Sequence, residues 1–217
     1  MIYTLTTWVM PLMLAIIVHE VAHGLIARKL GDDTAYRAGR LTLNPLPHID
    51  PIGSILLPIL CWLSHSGIMF GWAKPVPVNF NRLNHPKRDM GLVAGAGPLA
   101  NLLLAILLVI IGRFALELLP QGNFLKWLLL NIENGVGVSL VIGTFNLLPI
   151  LPLDGGRILV SILPTKYAIK YQSTEKYGFF VLFGVILLSQ ISGINIIGWF
   201  IKTLWPLFAG IVELFMK

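Results

Sequence analysis

Ile16-Ile17-Val18-His19-Glu20-Val21-Ala22-His23-Gly24-Leu25 is an aliphatic run with three ionisable side chains set into it. Residues 1–18 before it contain no Asp, Glu, Lys or Arg, and the apolar pattern continues to Leu30, where Gly31-Asp32-Asp33 reads as a stop signal. The pattern predicts a helix from about Thr4 to Leu30, longer than the roughly 20 residues that cross a hydrocarbon core. On a helix, residues four apart share a face. The imidazoles of His19 and His23 can therefore reach one Zn²⁺, with Glu20 beside them to take a proton from water. The bland alternative is two helix-end histidines and a glutamate snorkelling to the interface. Ionisable groups on an apolar helix are expensive enough in lipid to favour the functional reading.

Composition extends the membrane reading to the whole chain. Of 217 residues, 56% are hydrophobic and only 12% are charged, against about 25% charged in an ordinary soluble domain. So few charges cannot cover a globular surface, and lipid must solvate much of the protein. Residues 90–112, 134–153 and 177–201 are further runs without Asp, Glu, Lys or Arg. The net charge of +6 fits basic loops facing anionic lipid; no basic stripe with interleaved aromatics points to nucleic acid. The single Cys61 excludes an internal disulfide and a cysteine-based zinc site. The N-terminus lacks the basic region and small-residue cleavage pattern of a signal peptide. The expected fold is an all-α polytopic membrane protein of about five to six membrane segments, with residues 1–217 forming a single domain.

Charge placement predicts the topology. Segments 28–51 and 71–89 each hold four Lys or Arg, which puts both on the cytoplasmic side. The apolar stretch 52–72 between them then cannot cross and is expected to dip in and return as a re-entrant hairpin, making 28–89 an insert between the first two core helices. Its flanks, 39–50 and 74–79, carry paired prolines and weak alternation, and read as strands of a small membrane-associated sheet. Spans follow at 90–112 and from about Trp127 to Asn146, and a helix resumes at Gly155. The tail, 177–217, is either a helical hairpin turning at 192–195 or one span plus an interfacial helix. This threading brings the end of the first helix level with the break at 149–154.

A catalytic zinc usually takes three protein ligands and keeps one open position. Asp154 is the better third candidate, because Pro149, Pro152, Gly155 and Gly156 open the helix around it, as at polar sites inside membranes. A lone Asp capping the helix that starts at Gly155 is the competing reading. His48, in His48-Ile49-Asp50-Pro51, is a candidate lining residue for substrate, against a plain turn.

The His19-Glu20-x-x-His23 motif, joined to Asn146-x-x-Pro149-x-x-Pro152-Leu153-Asp154-Gly155-Gly156-Arg157, resembles the site-2 protease family of intramembrane zinc metalloproteases, over nearly the whole chain. The resemblance implies zinc held by His19, His23 and Asp154, Glu20 as catalytic base, and Asn146 binding the substrate backbone or the developing oxyanion. It also sets Gly97-Pro98-Leu99-Ala100-Asn101 on the second core helix, with Gly97 and Asn101 as candidate substrate-binding residues. The implied partners are the lipid bilayer and membrane-anchored proteins such as anti-sigma factors, or signal-peptide remnants. The implied setting is a prokaryotic cell membrane with the site toward the cytoplasm. No PDZ or CBS-like accessory domain is expected, and the sequence does not tell the oligomeric state.

A metal-ion transporter or zinc-binding scaffold shares the broken helices and intramembrane carboxylate. Against it, the halves show no inverted repeat, and a transporter needs no base beside its ligands.

Overall fold

The computed structural model describes residues 2–63, 71–193 and 195–215. Helix α1 (Ile2–Lys29) fills the first predicted span and ends at Gly31, whose φ of 108° belongs to the left-handed region that glycine tolerates. A short helix, α2 (Thr34–Arg37), and a 3-10 turn (Leu46–His48) lead to a π-helical turn (Pro51–Leu56) that runs into α3 (Leu57–Leu63). After the 3-10 turn Phe80–Arg82 come α4 (Pro86–Leu118), α5 (Asn123–Asn146), α6 (Asp154–Ile162), α7 (Thr165–Gln172), α8 (Glu175–Ser192) and α9 (Ile196–Glu213).

Among the described residues, four of these are long and apolar enough to cross a membrane: Thr6–Lys29 within α1, then α4, α5 and α9. The protein is therefore all-α and polytopic. The tail resolves into two helices: α8 stops at Gly193, which has φ 70°, and Asn195 caps α9 by accepting a hydrogen bond from Gly198 N–H at 2.7 Å.

Helices α1, α4 and α5 pack together as the core of the bundle, and small residues let them approach. A Cβ on Gly135 of α5 would meet Leu108 Cδ1 at 2.8 Å and Pro11 Cβ at 3.6 Å. One on Gly143 would meet Pro98 and Asn101 of α4. The opposite face of α4 carries Leu99, Leu103, Leu107 and Ile111, all exposed and spaced by four. In water that stripe would be a liability; in lipid it is the solvated face. At the end of the core distant from His19, Asn134 Nδ2 donates to Thr7 O at 2.8 Å and Trp127 Nε1 to Thr6 Oγ1 at 3.2 Å. These bonds tie α5 to the start of α1.

The expected small sheet is not present: the described residues of 39–50 and 74–79 form no strand. Pro45, Pro47, Pro75 and Pro77 remove the N–H groups a ladder needs, and isolated bonds replace it. Lys74 N–H donates to His48 O at 2.9 Å and Trp72 N–H to Gly53 O at 3.1 Å, while Ser54 Oγ donates to Trp72 O at 2.8 Å. Both ends of the 52–72 apolar stretch therefore lie side by side. The tip of the expected hairpin, 64–70, falls outside the described residues.

Candidate metal centre

His19 and His23 lie one turn apart on α1, their rings 4.6 Å apart between centroids and nearly perpendicular at 86°. The Val93 carbonyl of α4 can only accept, so His23 Nδ1 donates to it, at 2.7 Å. That bond sets the tautomer and leaves Nε2 with its lone pair, the usual arrangement behind a metal-ligating histidine.

Asp154 reaches the pair from the first turn of α6. Its Oδ2 stands 3.2 Å from His19 Nε2 and its Oδ1 3.4 Å from His23 Nε2. One ligand atom from each of the three residues falls within 4.8 Å of the others. Asp154 Oδ2 is buried and has no hydrogen-bond partner. Two imidazole nitrogens and a carboxylate converging in a buried place suit a divalent cation, and the mixed nitrogen and oxygen donors suit zinc.

Close backbone packing brings Asp154 there. A Cβ on Gly155 would lie 2.1 Å from Leu147 O, one on Gly156 2.6 Å from Leu151 N, and one on Gly178 of α8 1.7 Å from Leu151 O. Only glycine lets α6 and α8 press the 147–153 loop from two sides. Tyr171 donates its hydroxyl to Pro149 O at 2.6 Å; burial holds that hydroxyl above its ordinary pKa, so it stays a donor. Arg157 bridges to Glu175 at 2.8 Å and lies 4.7 Å over the Phe80 ring, joining α6, α8 and the segment before α4.

The three residues open on a cleft of about 530 Å³, whose lining includes Glu20, Asn146, Trp72, Val76 and Arg157. Asn146 spends one amide hydrogen on Ile142 O at 3.0 Å. Gly97 meets the histidines: a Cβ there would come within 2.5 Å of both His19 Cε1 and His23 Nε2. Asn101, one turn on, is fully buried and lines no part of the cleft. His48 is also fully buried, its Nε2 at 3.0 Å from Thr42 O, and does not line the cleft either. The turn reading weighed for it on sequence fits this position. Reading the sequence missed Val76, Val93 and Gly178, whose roles rest on backbone atoms or on a missing side chain.

Replacing Asp154 with alanine is expected to weaken zinc binding by more than about 100-fold, since even partners behind the ligands are typically worth 10- to 100-fold. Competition with a fluorescent zinc chelator measures it. Unchanged affinity would remove Asp154 from the ligand set.

The model for peptidase family M50 matches residues 118–189, a stretch that contains Asp154 but not His19 and His23. YwhC of Bacillus subtilis, provisionally named a zinc metalloprotease, is 38% identical over 92% of this chain and 84% of its own length. Rip2 of Mycolicibacterium smegmatis, with a similarly provisional name, is 31% identical over 86% of this chain and 66% of its own. The zinc metalloprotease MJ0392 of Methanocaldococcus jannaschii is 26% identical over 72% of this chain and 34% of its own. No solved structure matches. With its membrane-crossing helices and its buried histidine–aspartate cluster, the chain belongs to peptidase family M50, the site-2 protease family, and is an intramembrane zinc metalloprotease.

Proposed function

We propose that zinc is held by His19 Nε2, His23 Nε2 and the Asp154 carboxylate, and that Glu20 is the general base of peptide hydrolysis beside it. The observation that carries this reading is the convergence of the three ligand atoms at a cleft that Glu20 also lines. Zinc bound there supplies a Lewis acid and brings the pKa of water down toward about 7. Glu20 takes the proton of the attacking water as the oxygen–carbon bond forms, then passes it to the amine nitrogen as the carbon–nitrogen bond breaks. Asn146 has a second amide hydrogen to offer the carbonyl oxygen as charge builds on it, and its bond to Ile142 O holds the side chain for that task.

A transmembrane helix keeps its amides in intrahelical bonds, so the substrate must unwind before its carbonyl can enter the cleft. Substrates are membrane-anchored proteins cut within or near a spanning segment, with anchored regulators and signal-peptide remnants as candidates. Residues 1–217 act as one protease domain. Residues 28–89 form a re-entrant insert, a reading supported by the bonds that join Gly53 and Ser54 to Trp72. The basic loops put the centre on the cytoplasmic side of a prokaryotic cell membrane. Gly97 shapes the ligand rings, and His48 acts through the backbone at Lys74.

The test is cleavage of a model single-span substrate by the purified chain in detergent. Cleavage should stop with 1,10-phenanthroline and return with added zinc. Cleavage that persists at full rate in the chelator would overturn the reading.

A further inference from the structure

Segment 74–79, Lys74-Pro75-Val76-Pro77-Val78-Asn79, runs along the cleft and is pinned at both ends by buried groups. At one end Lys74 N–H donates to His48 O at 2.9 Å, and Arg40 donates to Lys74 O at 2.8 Å. At the other, Asn79 N–H donates to Asp32 Oδ2 at 2.6 Å. Arg40, His48 and Asp32 are all buried. Between the anchors, Val76 N–H donates to Glu20 Oε2 at 2.7 Å. Pro75 and Pro77 have no N–H, so Val76 carries the sole backbone donor of residues 75–77. A slip of one residue either way would offer the glutamate nothing. The Val76 side chain is buried as well; a Cβ on Gly24 would touch its Cγ1 at 3.0 Å, which ties it to α1 one turn beyond Glu20.

We propose that the Val76 amide is a positioning donor for Glu20: it holds Oε2 and leaves Oε1 as the oxygen that takes the proton of the attacking water. This rests on the reading of Glu20 as the base. The segment is fixed by anchors that do not involve Glu20, so it positions the carboxylate rather than the reverse. A long glutamate side chain in an open cleft would otherwise sample several rotamers. A charge-assisted bond to a rigid backbone amide selects one of them. The alternating prolines then have a function beyond preventing strands, because they key the register of that single bond.

The test compares Val76→Pro, which deletes the N–H, with Val76→Ala, which keeps it. Val76 precedes Pro77, which biases it toward the extended region where proline also sits, so proline suits its backbone. With a model single-span substrate, kcat of Val76→Pro should fall about 10- to 100-fold below that of Val76→Ala, the range a misplaced catalytic group typically shows. KM should agree within about threefold, and zinc content should be equal. Equal kcat in the two variants overturns the proposal. A second measurement stands apart from catalysis and from the folding of the proline variant: hydrogen exchange of the full chain, wild type against Glu20→Ala. The Val76 amide should exchange about tenfold faster or more in Glu20→Ala, while the Asn79 amide keeps its protection; unchanged exchange at Val76 overturns it. If the wild type cleaves nothing, the protease reading has failed, and the exchange result still decides whether the amide holds the glutamate.

Discussion

Glu20→Gln is expected to abolish measurable proteolysis, lowering kcat by about 10²- to 10⁴-fold, while zinc stays bound near one per chain. The two residues have nearly the same shape, and the glutamine carbonyl oxygen can still accept the Val76 N–H that reaches Glu20 Oε2. What is lost is basicity, since an amide does not take a proton from water at neutral pH. The cluster of His19, His23 and Asp154 proposed to hold zinc is untouched by the change. Cleavage of a single-span substrate and metal analysis of the same preparation measure the two quantities together. Retained cleavage would mean that another group is the base. Zinc lost along with activity would mean that Glu20 holds the site together instead of working in it.

Gly97→Ala is expected to lower zinc affinity by about tenfold or more without destabilising the metal-free protein. The added methyl would stand 2.5 Å from His19 Cε1 and His23 Nε2 and 2.6 Å from His19 Nε2. These are ring atoms at the metal-facing side, and His23 is further restrained by its bond to Val93 O. With metal bound, the rings cannot swing away without leaving it. Without metal they can yield at the cost of straining the His23 bond to Val93 O, which the preference for alanine over glycine in a helix interior, roughly 0.5–1 kcal/mol, offsets. Zinc titration and thermal unfolding of the apo form, run on both proteins, separate the effects. Equal zinc affinity would mean that α4 yields and that Gly97 serves only helix packing.

The spans were readable because a membrane helix is a local object: an uninterrupted apolar run of sufficient length forms one whatever it later packs against. The two histidines were readable for the same reason, since a spacing of four puts them on one face before any tertiary contact exists. Asp154 took more. The histidines lie 135 and 131 positions away from it in the chain, and their pairing was reached from the prolines and glycines around Asp154, the family resemblance and charge placement, which predict depth but not contact; the 3.2 and 3.4 Å approaches come from the packing of α6 on α4 and of α8 on the 147–153 loop.

The prolines of 44–51 and 74–79 were misread as edge-strand marks. Proline signals both an edge strand and a segment with no ladder, and the choice depends on which donors are left and what lies across from them. Here what lies across from Val76 is Glu20, 56 residues earlier in the chain. Gly97 and Asn101 show the same limit: each could be located on its helix, but not said to face ligand, neighbouring helix or substrate, and His48 sits in a 3-10 turn where a strand was expected. By itself the sequence determined the helical membrane spans and the shared face of His19 and His23, because hydropathy and helical period act within a few residues. Only the tertiary structure decided which backbone amide holds the glutamate, which glycine clears the histidine rings and how the broken loop delivers the aspartate. Those are contacts between segments brought together by packing, and no local pattern encodes their distances.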